Sequence, residues 1–141
     1  MVLISHRGNT EGRKADRENN PSYIDEALQL GYDVEIDVWF IEGVFYLGHD
    51  EPTYPVEREY LKNHKLWCHA KNIKALEALL IEDIHCFWHQ NDDVTLTSNG
   101  YMWTYPGKEL TKKSIAVMPE RKVELKNISG VCSDYIKEYN D

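Results

Sequence analysis

The chain opens on a short apolar run, Val2-Leu3-Ile4, which reads as a buried strand over residues 2–5 and ends in the polar turn His6-Arg7-Gly8-Asn9-Thr10. Residues 11–20 are charged and asparagine-rich and read as a loop. Pro21-Ser22 then opens a helix with an apolar stripe of Tyr23, Ile24, Ala27, Leu28 and Leu30, closed by Gly31. Over residues 33–40 the pattern switches to alternation. Val34, Ile36 and Val38 face one way, and Asp33, Glu35, Asp37 and Trp39 the other. Glu42-Gly43 is a hairpin signal, and 44–47 is the returning strand. A loop over 51–64, with a helical turn near 57–61, leads to a third strand at 66–70. Ile73, Leu76, Leu79 and Leu80 mark a second amphipathic helix. Residues 85–89 predict a strand, 94–96 and 101–105 a hairpin about Ser98-Asn99-Gly100, and 114–118 and 130–132 two more short strands.

Strands alternating with helices predict an α/β fold. No repeat, low-complexity segment or domain boundary interrupts residues 1–141, so a single domain is expected. The net charge of -8 argues against a general nucleic-acid binder, which needs clustered Lys and Arg. No stretch approaches the roughly 18 apolar residues of a membrane span. Cys68, Cys86 and Cys132 are odd in number and widely spaced, which fits reduced thiols packed as small apolar groups. With no leader visible at the N-terminus, a cytoplasmic protein is expected.

Titratable residues collect where strands end: His6 and Arg7 after the first, Glu35 and Asp37 on one face of the second, His49 and Asp50 after its hairpin partner, His69 and Lys71 at the third. Two carboxylates spaced by two on a strand point the same way and repel in a buried setting. A hard divalent cation removes that conflict. The same spacing also fits the solvated face of an edge strand. His6 and His49 have the chemistry of a general acid and base, and Arg7 that of a planar phosphate clamp or of an ion pair with Glu18 or Asp50. His85 and His89 form a second, weaker metal candidate at i, i+4. His64 reads as a surface residue.

Together, ISHRGN at 4–9, ENNPSYIDEALQLGYDVEIDVWF at 18–40 and GVFYLGHD at 43–50 resemble the glycerophosphodiester phosphodiesterases. That family carries His-Arg-Gly, Glu-Asn-Thr, Glu-x-Asp and His-Asp in this order. The resemblance implies a metal-dependent hydrolase of small glycerophosphodiesters, with His6 and His49 as catalytic pair, Arg7 and Lys71 on the phosphate, and Glu35, Asp37 and His69 on the metal. Asn20 replaces the family's Thr, and His69 stands where a third metal-binding Glu is expected. Mg²⁺ or Ca²⁺ is the expected ion, and the imidazole would also admit Mn²⁺ or Zn²⁺. Residues 130–135 resemble the family's last strand.

Family barrels follow the (β/α)₈ plan of about 250 residues. The 141 residues here therefore predict a compressed TIM-like barrel of seven or eight strands with several helices shortened or missing. Missing helices would leave apolar strand faces near Trp88, Tyr101, Trp103 and Tyr105 for a second copy of the chain to cover, a route to a homodimer. Two other outcomes share the site: a lyase forming a cyclic phosphate, and a non-enzymatic phosphate- or metal-binding module.

Overall fold

The alternating stretch organises the sheet. In the computed structural model, which describes residues 1–119 and 125–140, it forms β2 (Asp33–Ile41). Along one edge β2 pairs in parallel with β1 (Val2–His6), His6 standing opposite Glu35. Along the other it pairs in parallel with β5 (Leu66–Ala70), Asp37 standing opposite His69. The far half of β2 continues into an antiparallel ribbon with β3 (Val44–Leu47) and β4 (Tyr54–Val56). Beyond β1 lie β10 (Gly130–Ser133), β9 (Ser114–Val117) and β8 (Met102–Thr104), all parallel, and then β7 (Val94–Leu96), antiparallel to β8. β6 (Cys86–Phe87) pairs with the outer edge of β5.

The two faces of this 10-stranded sheet are packed differently. Val34, Ile36, Val38, Leu66, Cys68 and Ala70 form the outer face, against α1 (Pro21–Gln29) and α3 (Ile73–Ile81), with Leu61 of α2 (Arg58–Leu61) in the same cluster. Asn20 caps α1 through its side chain, and Pro21 takes the first position, where no amide partner is needed. Asn72 caps α3 by accepting from Ala75 N at 3.0 Å, and also bonds the backbone N and O of Phe40. One side chain thus closes a helix end and ties it to β2. The inner face carries Ile4, Trp67, Phe87, Trp103, Ile115, Val117 and Cys132. Phe87 and Trp103, from opposite flanks of the curl, meet with ring centroids 4.7 Å apart.

The expected TIM-like barrel is not what forms. The molecule is a curled mixed sheet, a half-barrel that is mostly sheet, with three short α-helices among the described residues. The physical reason lies in the connections. Among the described residues, α-helices are interspersed with the strands only as far as α3. After that the chain reaches β8 through the β7 hairpin and β9 through residues 105–113 without a helix. Outside β1 and β10, cover comes instead from Tyr32 and from Ile136 of a 3-10 turn at Ile136–Tyr139.

Local elements also depart from expectation. The strand over 85–89 contracts to Cys86–Phe87, and β4 occupies what reads as loop, with Pro55 tolerated in a short strand that pairs, among the described residues, with β3 alone. Trp103 is 3% exposed and is core, not an uncovered flank. The large exposed apolar side chains include Ile73, Leu80 and Ile81 on α3, whose buried pair is Ala75 and Leu79. All three cysteines are free and buried. No helix among the described residues is long and apolar enough to cross a membrane.

Candidate active site

The inner-face positions nearest the ends of β1, β2 and β5 are polar where the deeper ones are aromatic or aliphatic. His6, Arg7, Glu35, His49, His69 and Lys71 line one cavity of about 370 Å³, and Asp37 lies fully buried beneath them. The residues singled out by sequence therefore meet at one place. His85 does not join them. It packs on Trp67 at 4.3 Å between centroids and bonds Thr97 Oγ1 at 2.8 Å, so the i, i+4 metal pair with His89 does not form. His64 is exposed, as expected.

Glu35, Asp37 and His69 each place a ligand atom within 4.8 Å of the others. Glu35 Oε1 and Asp37 Oδ1 are buried and carry no hydrogen bond among the described residues. His69 Nδ1 stands 3.2 Å from Asp37 Oδ1 and 3.8 Å from Glu35 Oε2. Its Nε2 donates to the carbonyl of His89 at 2.9 Å. In the neutral ring that bond leaves a lone pair on Nδ1 facing both carboxylates, the orientation of a metal-binding imidazole. Without a cation the three groups settle among themselves. Burial and then the charge of Asp37 push Glu35 above its usual pKa. Burial would raise Asp37 too, but His69 and Arg7 hold it well below the carboxylate range. Burial opposes a charge on His69, yet Asp37 and Glu35 outweigh it and raise its pKa. Two unbonded carboxylate oxygens and a correctly turned imidazole fit a divalent ion with mixed oxygen and nitrogen donors.

His6 and His49 stand at the rim in different settings. His6 Nδ1 bonds Asp134 Oδ1 at 2.8 Å, and its Nε2 lies 3.8 Å from Glu35 Oε1. Burial opposes its charge, but Asp134 and Glu35 prevail and raise its pKa. His49 Nδ1 accepts from Arg7 Nη2 at 2.6 Å. Arg7 has a left-handed backbone, φ 60°, which carries its side chain from the end of β1 across β2. There its Nη1 donates to Glu18 at 3.2 Å, and its Nε lies 3.1 Å from Asp37 Oδ2. The ion pair with Glu18 therefore forms, and the same side chain lines the cavity.

No family model, no curated protein and no solved structure matches this chain. The likeness to glycerophosphodiester phosphodiesterases rests on the residues quoted from positions 4–50, with weaker support from His69 and residues 130–135.

Several functional supports escape a reading of spacing. Asn19, also left-handed at φ 66°, clasps Asp37 by donating Nδ2 to Oδ2 and accepting from its backbone N, both at 2.9 Å. Asn9 Nδ2 donates to both Glu18 and Asp134, and Tyr23 Oη donates to Asn9. Asp134 follows the last strand, and that position after a strand was the available signal. His89 lines the cavity with both ring nitrogens unbonded among the described residues. Burial and the charge of His69 lower its pKa.

Proposed function

We propose that this chain is a metal-dependent phosphodiesterase that hydrolyses glycerophosphodiesters. The observation that carries this reading is the meeting of Glu35, Asp37 and His69 within 4.8 Å, with Glu35 Oε1 and Asp37 Oδ1 unbonded among the described residues, under a cavity whose rim holds His6, Arg7, His49 and Lys71. Such a constellation combines a cation pocket with anion-binding and proton-transferring groups, which a phosphodiester requires. Glu35, Asp37 and His69 would hold Mg²⁺ or Ca²⁺, or Mn²⁺ or Zn²⁺ given the imidazole, and the ion would supply Lewis acidity toward a phosphoryl oxygen.

The side chains divide the remaining work. Arg7 Nη2 can only donate, so the His49 Nδ1 that faces it carries no proton. A bound phosphoryl group draws Arg7 onto its oxygens and frees that nitrogen to accept a proton from the attacking hydroxyl or water. His6, backed by Asp134, is the proton donor to the departing alcohol. Lys71, which forms no ion pair among the described residues, offsets charge on the phosphoryl oxygens.

The test is hydrolysis of a panel of glycerophosphodiesters with chelator and after addition of Mg²⁺, Ca²⁺ or Mn²⁺, products being resolved by phosphorus NMR. Cleavage that stops with chelator and returns with metal is expected. His6→Ala and His49→Ala should each slow it by roughly 10²–10⁴-fold. A cyclic product transfers the reading to the lyase chemistry. Absence of cleavage with every metal, or full activity in both variants, overturns it.

A further inference from the structure

One wall of the cavity is left unused by this mechanism. Two residues past β6, His89 turns its ring over the inner face, edge-on to Tyr105 at 4.3 Å between centroids and 6.1 Å from the ring of His69. The side chain is 7% exposed, yet neither Nδ1 nor Nε2 has a hydrogen-bond partner among the described residues. The nearest carboxylate, Asp92 Oδ2, lies 3.6 Å from Nδ1, beyond hydrogen-bond range. A buried polar ring without partners costs stability that an apolar side chain would not. The backbone beneath it is pinned at successive carbonyls: Thr95 Oγ1 donates to Trp88 O, His69 Nε2 to His89 O, and Tyr105 Oη to Gln90 O, at 2.7, 2.9 and 2.7 Å. The ring is thus held in place, with open valences, beside the groups proposed to hold metal and phosphate.

Resting on the function proposed above, we propose that His89 is a substrate-binding residue that hydrogen-bonds a hydroxyl of the polyol esterified to the phosphate. Two features select a hydroxyl over the phosphoryl group. A neutral imidazole offers one donor and one acceptor, the complement of a hydroxyl, whereas phosphoryl oxygens only accept. Position agrees: across the sheet the order is His6 at the end of β1, Glu35 and Asp37 on β2 with Arg7 against Asp37 Oδ2, His69 on β5 against Asp37 Oδ1, and His89 past β6. With neighbouring strands about 4.8 Å apart, His89 lies on the side of the metal ligands opposite the phosphate-facing Arg7.

Calorimetric titration of the Mn²⁺-loaded protein with glycerol 3-phosphate, and separately with inorganic phosphate, tests this. His89→Phe keeps the ring and removes its nitrogens. It should weaken glycerol 3-phosphate about tenfold and change inorganic phosphate by less than about twofold. His89→Gln, which restores a donor and an acceptor, should recover part of the loss, a recovery that packing alone does not give. His89→Ala gives the same comparison should phenylalanine disturb the fold. If glycerol 3-phosphate is unaffected, or both probes weaken equally, the role of His89 is wrong and the phosphodiesterase reading stands. If the wild-type protein binds neither probe, both fall.

Discussion

Glu35 and Asp37 face the same side because residues two apart on a strand must, and burial makes their proximity costly until a cation lies between them. Function and stability therefore oppose each other at Glu35. In chelator, Glu35→Gln should raise stability by about 1 kcal/mol, by removing one buried charge from the pair, and should abolish any rise in Tm on adding metal. Thermal melts with and without Mn²⁺ read both effects. His85 provides the pH response that is independent of the site. Burial lowers its pKa from 6.5 to about 4. The unfolded chain binds this proton below pH 6.5 and the folded chain only below about pH 4. Stability is thus fully present above pH 6.5 and falls as pH drops toward 4, by up to about 3 kcal/mol from this residue. Urea titrations across that window should show the slope, and His85→Gln should flatten it.

At the scale of elements, turns and caps aim the functional side chains. Gly8 has φ +98°, and a Cβ there would lie 2.6 Å from the ring of Tyr23, whose hydroxyl supports Asn9. Gly8→Ala should cost about 1–3 kcal/mol and disturb the Asn9, Glu18 and Asp134 contacts together. Asn72→Ala should cost about 1–2 kcal/mol, since it removes the α3 cap and two bonds to Phe40 at once. Denaturant midpoints measure both. Strand β2 was legible because its alternation reports local geometry directly, β3 because the Glu42-Gly43 turn returns the chain, and β5 as a short run of mostly apolar residues. The apolar stripe of α3 was not. Leu80 belongs to the helical pattern but points outward, because the sheet accepts only the Ala75 and Leu79 side of a nine-residue helix.

For the whole molecule, the chain reads correctly as strand ends converging and incorrectly as a barrel. Convergence needs only parallel neighbours among β1, β2 and β5, and short-range pattern carries that. Closure depends on the crossovers after α3, and residues 105–113, which carry the turn dipeptide Pro106-Gly107, cross as a loop where a barrel would need a helix. The inner face is then sealed by aromatics. Trp103→Ala should cost about 3–5 kcal/mol, because Trp103 joins Phe87 and Trp67 across the curl. The most direct measurement of the central claim is calorimetric titration of Mn²⁺ into the metal-free protein and into Asp37→Asn. A single site per chain that is lost in the variant is the predicted result. Binding that is absent from the wild-type protein, or unchanged by the substitution, would contradict a cation pocket at Glu35, Asp37 and His69.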